Sequence, residues 1–309
     1  MNEKILITGI AGFIGSHLAR AMLARGYEVW GIDNLSTGIA ENVPVGARFI
    51  KGDCASTATI GQLGGVTFKA AFHIAGQSSG EISFDDPARD LDCNTRSTVI
   101  LMNYCAKTGC RRFLYSSSMS VYGCPDICPV AETHPCRPIS FYGVGKLASE
   151  HYMDVYGQSG LRTTALRLFN VYGPGQNMAN LRQGMVSIYL AQLLSKDVIT
   201  VKGSLDRFRD FVFIDDVVEA FSHCMDDERS FGQVYNVATG VKTTVKELLE
   251  ALMRAATMKK EVIISGGTAG DQGGIYADVG KINTDLGFSA KTDLAKGLES
   301  TVAWAKVAS

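Results

Sequence analysis

Residues 4–15 read K-I-L-I-T-G-I-A-G-F-I-G: a short apolar run breaks into Gly9, Gly12 and Gly15, and a helical pattern follows from Phe13 to about Arg25. The first half of the chain goes on in the same way. E-V-W-G-I, A-R-F-I-K, K-A-A-F-H-I and R-R-F-L-Y-S are further apolar runs, separated by helical stretches. Short strands alternating with helices predict an α/β fold, a doubly wound parallel sheet of the Rossmann type with helices on both faces. Ligands of such sheets sit beyond the carboxyl ends of the strands, and the glycines stand at that end of the first strand.

The whole chain is consistent with that reading. Its 309 residues can bury a large core, and Lys+Arg 30 against Asp+Glu 31 leave almost no net charge. Binding to nucleic acid or to a membrane surface through bulk charge is therefore not expected, and an anionic ligand must be held by local groups. No apolar stretch is long enough to span a bilayer and M-N-E-K-I-L-I-T runs straight into a strand, so a cytoplasmic protein is expected. The eight cysteines are scattered; Cys124, Cys128 and Cys136 cluster without a second ligand group at zinc spacing, so no metal site is predicted.

The spacing G-x-x-G-x-x-G suits a tight turn in which backbone approaches a diphosphate while the helix N-terminus supplies N–H groups, although a plain strand-to-helix turn would use the same glycines. The second strand decides between them. It ends E-V-W-G-I-D-N-L, placing Asp33 eighteen residues after Gly15, where a carboxylate can accept hydrogen bonds from an adenosine ribose. That carboxylate would repel a 2′-phosphate, which favours NAD over NADP. Gly52-Asp53 and H-I-A-G add two more loops on the same edge; Asp53 suits either a helix cap or an adenine contact.

At S-F-Y-G-V-G-K, residues 140–146, Tyr142 and Lys146 stand one helical turn apart and share a face. An ammonium beside a phenol favours the phenolate, which predicts a Tyr142 pKa pulled below about 10 and a usable base. A surface pair has the same spacing.

Taken in order, T-G-I-A-G-F-I-G-S-H, D-N-L-S-T-G, H-I-A-G-Q, Y-S-S-S-M-S-V-Y-G, Y-G-V-G-K, L-R-L-F-N-V-Y-G-P-G-Q and R-F-R-D-F-V-F-I-D-D resemble the extended short-chain dehydrogenase/reductases. More narrowly, the chain is similar to the NAD-dependent nucleotide-sugar epimerases and dehydratases, with a pattern most like the UDP-glucose 4-epimerases. The resemblance spans nearly the whole chain. It implies a catalytic set of Ser118, Tyr142 and Lys146. It implies a cofactor-binding set of Gly9, Gly12, Phe13, Ile14 and Gly15; Asp33, Asn34, Ser36, Thr37 and Gly38; Asp53 and Cys54; Ile74, Ala75, Gly76 and Gln77; and Asn94, Ser116, Tyr142, Lys146 and Phe169. Without it, Ser116 reads as a strand-end residue and Asn94 as a solvated helix residue.

On the substrate side the resemblance implies Ser78, Ser118, Tyr142, Asn170 and Asp271, with Met185, Val186, Thr200 and Lys202 near the base. Arg209 is expected to clamp the diphosphate, an ion pair with Asp210 being the plainer alternative. Two positions depart from the family: Lys202 stands where an aromatic is common, and Thr268 where an arginine is common. Residues 1–170 with about 211–240 are expected to form the cofactor domain, and about 171–210 with 241–309 a smaller interleaved substrate lobe. F-V-F-I, the helix from Asp216 and V-Y-N-V-A are expected to return to the cofactor sheet.

The implied reaction is 4-epimerisation of a nucleotide sugar, a UDP-sugar foremost, through a transient 4-keto sugar with NAD tightly held. The alternatives are a 4,6-dehydratase or decarboxylase on the same scaffold, or a catalytically silent NAD-binding regulator. The dehydratases carry an Asp-Glu pair directly after the active-site hydroxyl residue, where this chain has Met119 and Ser120. Helices at about Asp90–Lys107 and Gly143–Gly157 resemble the pair that joins subunits in the family, so a homodimer is expected. Apolar Val99, Leu101 and Met102 suit either that interface or the monomer core.

Overall fold

The computed structural model describes residues 2–267 and 273–308. Its strands are β1 (Lys4–Thr8), β2 (Glu28–Asp33), β3 (Arg48–Lys51), β4 (Ala70–His73), β5 (Arg112–Ser118), β6 (Arg162–Leu168), β7 (Asn170–Tyr172), β8 (Val198–Lys202), β9 (Phe208–Arg209), β10 (Phe211–Phe213), β11 (Gln233–Val237), β12 (Thr243–Thr244) and β13 (Glu261–Ser265). The helices are α1 (Phe13–Ala24), α2 (Thr57–Gly61), α3 (Pro87–Leu91), α4 (Ser97–Thr108), α5 (Phe141–Gln158), α6 (Met185–Ser195), α7 (Ile214–Asp226), α8 (Val245–Ala256), α9 (Gly280–Leu286) and α10 (Leu294–Ala308).

Seven strands form one parallel sheet in the order β3-β2-β1-β4-β5-β6-β11, the doubly wound arrangement expected. Both faces of a parallel sheet are covered, which is why its strands read as continuous apolar runs. All seven residues of β5 are buried. On one face Leu18, Ala19 and Met22 of α1 and Val217, Ala220 and Phe221 of α7 pack on Ile5, Ile7, Phe72 and Leu114. On the other, Leu101, Met102 and Cys105 of α4 and Met153 of α5 pack on Leu6, Phe113 and Tyr115. Leu101 and Met102 therefore belong to the monomer core.

A smaller core joins α6, α8 and α10 to β8 and β10 through Leu190, Leu193, Ile199, Leu248, Leu252 and Leu298. The capping box of Thr244 and Glu247 starts α8, satisfying N–H groups at both residues.

Two expectations about elements need correction. F-V-F-I does not join the main sheet: Phe211–Phe213 pairs in parallel with Asn170–Tyr172 in a separate two-stranded ribbon. The place beside β6 is taken by the longer β11, with five residues in register. The helix expected from Asp90 to Lys107 is interrupted by a π-helical turn at Asp92–Arg96, which re-aims Asn94 into the interior.

Candidate active site

The turn after β1 has the geometry of a diphosphate cradle. Gly9 adopts φ +73°, and a Cβ there would stand 2.8 Å from the Ala75 amide nitrogen; a Cβ on Gly15 would stand 2.0 Å from the Gly9 carbonyl oxygen. These two glycines are required by the chain's own packing. Gly12 is the N-cap of α1, which has no side-chain cap and no acid in its first turn, so the positive end of the helix is left for an anion. The residues present fit a dinucleotide.

At the end of β2, Asp33 is buried; its Oδ2 accepts the Ala11 N–H at 3.0 Å and its Oδ1 the Leu35 N–H at 2.8 Å. Each carboxylate oxygen can accept a further bond, so the group is held rigidly while keeping acceptor capacity for ribose hydroxyls. Gly38 lies against Ala11, which brings the S-T-G segment over the glycine turn. Asp53 is not the cap of α2, whose N-cap is Ser56. Instead its Oδ1 accepts the Ala55 N–H at 2.8 Å in a local turn that brings Cys54 into the interior.

Tyr142, Lys146 and Ser118 come together at the carboxyl end of β5. Ser140 caps α5 by accepting the Gly143 N–H at 3.1 Å, so Tyr142 enters in the first turn. Ser118 lies near Tyr142, where its hydroxyl favours the phenolate, and its Oγ accepts the Ser120 N–H at 3.2 Å. Lys146 Nζ donates to the Ser116 carbonyl at 2.9 Å and lies over the rings of Tyr115 and Tyr142. The Ser116 hydroxyl donates to the His73 carbonyl at 3.2 Å, tying β5 to β4. Phe169 is buried in the cluster beneath, with Val121, Tyr122 and Ile275. All three residues of the implied catalytic set are buried.

The phenol does not titrate as expected. Burial pushes Tyr142 up to about 12, the Ser118 hydroxyl opposing and the Asp90 charge adding to the rise. Lys146 is lowered to about 8, again by burial, against the pull of Asp90, Cys54, Glu150 and Cys93. Burial thus works against the charged form of both groups. A further positive charge at the site is needed to bring the phenol down.

Four side chains outside the implied site set, Asp90, Glu150, Arg167 and His73, surround this centre. Asp90 is buried beside it, with Oδ1 accepting from Gln77 Nε2 at 2.9 Å and from Asn94 Nδ2 at 3.1 Å. Its position four residues before Asn94 was the available signal. Asn94 also donates to the Gln77 carbonyl at 3.0 Å, and a Cβ on Gly76 would stand 2.5 Å from Asn94 Oδ1 and 3.4 Å from Lys146 Nζ. One turn beyond Lys146, Glu150 forms a bidentate buried pair with Arg167 at 3.0 and 2.7 Å and accepts from Ser117 at 2.5 Å. His73 lies beneath, between the hydroxyls of Thr8 and Ser97.

Across the cleft, Asn170 opens β7 with its Oδ1 buried and unpartnered, available to a donor. Arg209 is buried, and Nη1 donates to the Phe208 carbonyl at 2.8 Å. Asp210 does not pair with it: its carboxylate accepts from Thr239 N–H and hydroxyl, Gly240 N–H and Ala277 N–H. Met185 begins α6, but Val186 is packed in the small core. Thr200 and Lys202 are exposed on β8, and Lys202 Nζ stands 3.5 Å from Glu81. Ser78 accepts from Gln183 at 2.5 Å, and Arg182 pairs with Asp85 and Glu81, so the segments at 78–85 and 180–184 meet. Asp271 and Thr268 lie outside the described residues. Among the described residues no group of three or more His, Cys, Asp or Glu is placed to hold a metal, and no helix is long and apolar enough to cross a membrane.

A parallel sheet with a glycine turn, a buried carboxylate at the end of its second strand and a buried Ser-Tyr-Lys set defines the class. Residues 5–238 match the NAD dependent epimerase/dehydratase family, to which the chain belongs. It is 35% identical over 306 residues to the UDP-glucose 4-epimerase of Mycolicibacterium smegmatis, with 97% of each chain covered. The structure of UDP-glucose 4-epimerase from Thermotoga maritima with UDP-glucose matches it at a TM-score of 0.95 and 32% identity, covering 99% of both chains. That of Thermus thermophilus UDP-glucose 4-epimerase in complex with NAD matches at 0.92 and 33% identity, covering 99% of this chain and 100% of the other.

Proposed function

We propose that the protein is a nucleotide-sugar 4-epimerase acting on a UDP-sugar, with Tyr142 as the group that exchanges the proton of the sugar 4-hydroxyl. The observation that carries this reading is the convergence of the buried Ser118, Tyr142 and Lys146 at the carboxyl end of β5, with Lys146 Nζ over the Tyr142 ring. NAD, when bound, supplies the hydride acceptor and donor at the sugar's C4. Ser118 orients the 4-hydroxyl toward the phenol, and Tyr142 takes its proton in one half of the cycle and returns it in the other. Lys146 holds the cofactor's ribose side while its charge supports the phenolate. Gly12 and the α1 N-terminus take the cofactor diphosphate, and Asp33 takes the adenosine ribose.

Asn170 and Arg209 hold the substrate diphosphate, Arg209 through the paired donors of its guanidinium. Ser78 lies on the substrate side, and Met185, Thr200 and Lys202 lie toward the base, with Lys202 supplying a cation in place of an aromatic face. Water loss across C5 and C6 needs an acid and a base at the sugar's far side, and the residues after Ser118 are Met119 and Ser120, neither an acid. Epimerisation needs neither. The reading includes a homodimer: Phe141, Val144, Tyr152 and Val155 form an exposed apolar stripe along α5, with Leu91 of α3 also exposed.

The test is product analysis by NMR with UDP-, dTDP-, GDP- and CDP-sugars. A C4 epimer formed fastest from a UDP-sugar is expected. A 4-keto-6-deoxy sugar, or carbon dioxide released from a uronic acid, would overturn the reading.

A further inference from the structure

Asp90 is the feature of the site that the proposed chemistry leaves unused. It is 1% exposed, and its Oδ2 is buried without a hydrogen-bond partner. Asn94, fully buried, likewise leaves Oδ1 unpartnered. An unsatisfied buried carboxylate oxygen is costly, so it persists only where the surroundings hold it in place. Here they do. The two N–H donors from Gln77 and Asn94 fix Oδ1, and the π-turn at Asp92–Arg96 turns Asn94 inward to reach it. Gly145, which directly precedes Lys146, allows the close approach: a Cβ there would stand 3.5 Å from Asp90 Oδ2 and 3.2 Å from the Asn94 Cβ.

We propose that Asp90 is a positioning residue of this site, whose fixed negative charge acts on both Tyr142 and Lys146 and sets the pH range over which the pair exchanges a proton. The inference rests on reading Tyr142 and Lys146 as the proton-exchanging pair. Charge accounts for the direction. Asp90 disfavours the Tyr142 phenolate and favours the Lys146 ammonium, so its carboxylate raises both pKa values. Burial raises the Asp90 carboxyl above its ordinary range, with the Gln77 hydrogen bond, the Lys146 charge and the Asn94 hydrogen bond opposing the rise.

The other groups facing Lys146 are Glu150 on its own helix, Cys93 in the π-turn and Cys54 after β3. The Tyr115 ring of β5 lies under its ammonium, and His73 of β4 is buried and neutral within reach of its charge. Tyr142 faces Ser118 and Tyr115 as well. Of the carboxylates among these groups, Asp90 is the one that acts on both members of the pair, and it is also bonded to the segment at 77–79. Gln77 Nε2 donates to the Ser79 carbonyl, and Ser79 Oγ donates to the Arg182 carbonyl, so the charge is anchored to the loop that meets the substrate lobe.

The test compares the NAD-loaded protein with its Asp90→Asn variant, which keeps shape and an acceptor but removes the charge. Two quantities are read: the pH profile of kcat, and the midpoint of the Tyr142 phenolate from ultraviolet difference spectra against Tyr142→Phe on the same background. In Asp90→Asn both limbs of the profile and the phenolate midpoint are expected to move to lower pH by about 1 unit, as for removal of a neighbouring charge. A lower rate with limbs and midpoint unmoved would show that Asp90 is only a structural brace, and would overturn the proposal. Should Asp90→Asn fail to fold, Asp90→Ser removes the charge while keeping a hydroxyl for Gln77 and is read in the same way. The phenolate midpoint needs no sugar, so a failure of the epimerase reading shows in the product while a failure of this one shows in the titration.

Discussion

Asp33 and Ala11 are joined by a hydrogen bond of 3.0 Å from the Ala11 N–H to the carboxylate, which locks the end of β2 to the glycine turn after β1. The residue proposed to read the ribose is therefore held by the loop proposed to take the diphosphate. The protein is expected to bind NAD more tightly than NADP, since a 2′-phosphate would meet a buried carboxylate. Asp33→Asn should weaken NAD binding at least tenfold, because a hydrogen bond to a charged group contributes about 1.5–3 kcal/mol. Asp33→Ser with Asn34→Arg should reverse the preference. Titration calorimetry with both cofactors checks this, and equal affinities in the unaltered protein would count against it.

Tyr142→Phe should retain NAD and lose about 10²- to 10⁴-fold in kcat, the usual contribution of a general acid–base group. Ser118→Ala should lower kcat with a smaller change in KM, since the serine orients the reacting hydroxyl toward the phenol rather than supplying most of the grip on the nucleotide sugar. With burial holding Tyr142 near 12, the rate should still be rising with pH at neutrality unless a bound cation lowers the phenol. Steady-state kinetics across pH, with bound NAD quantified after denaturation, decide between these outcomes.

How far the sequence could be read follows from what each signal encodes. Six strands of the main sheet were legible, the five apolar runs and V-Y-N-V-A; the central ones read so clearly because strands buried on both faces must be continuously apolar, and Ile5, Leu6 and Ile7 are fully buried. The place of Phe211–Phe213 was not, because three apolar residues say nothing about which edge they pair with, and β11 already fills the edge of β6. The π-turn was hidden for a related reason: one extra residue in a helical turn scarcely disturbs the apolar spacing. Ser118, Tyr142 and Lys146 were legible as residue types at a fixed spacing. Their charge states were not, since burial, which moves Tyr142 up and Lys146 down, depends on packing from β4, β5 and α3.

His73 makes an acid-sensitive point in the sheet. It is fully buried, its Nδ1 is 2.7 Å from the Thr8 hydroxyl and its Nε2 3.2 Å from that of Ser97, and burial lowers its pKa to about 3. Between about 6.5 and 3 the unfolded chain binds a proton that the folded one does not, so stability rises with pH in that window and is complete above it. From pH 6.5 to 5 this one group should cost about 2 kcal/mol. Denaturant unfolding across that range should show the slope in the unaltered protein and a flatter one in His73→Gln. A His73→Gln protein with an unchanged slope would mean that other groups carry the acid sensitivity.

Glu150 and Arg167 should behave as a unit that sets α5 against β5 and β6. Their bidentate contact is almost wholly buried, with the Ser117 hydroxyl on the same carboxylate and the Arg167 guanidinium over the Tyr122 ring. Removing one partner leaves a buried charge unpaired, which typically costs about 3–5 kcal/mol, whereas replacing both with apolar groups of similar volume is often close to neutral. Arg167→Met and Glu150→Leu should therefore each destabilise strongly, and the double variant should recover most of the loss. The recovery should not extend to catalysis. Ser117 adjoins Ser118, and Glu150 stands one turn from Lys146, so the double variant loses the polar contact that fixes the distance between Ser118 and Tyr142. Its kcat is expected to stay below that of the unaltered protein while its stability returns. Denaturant melts and kcat measured on all four members of the cycle separate the two effects; full recovery of both would show that the pair contributes packing alone.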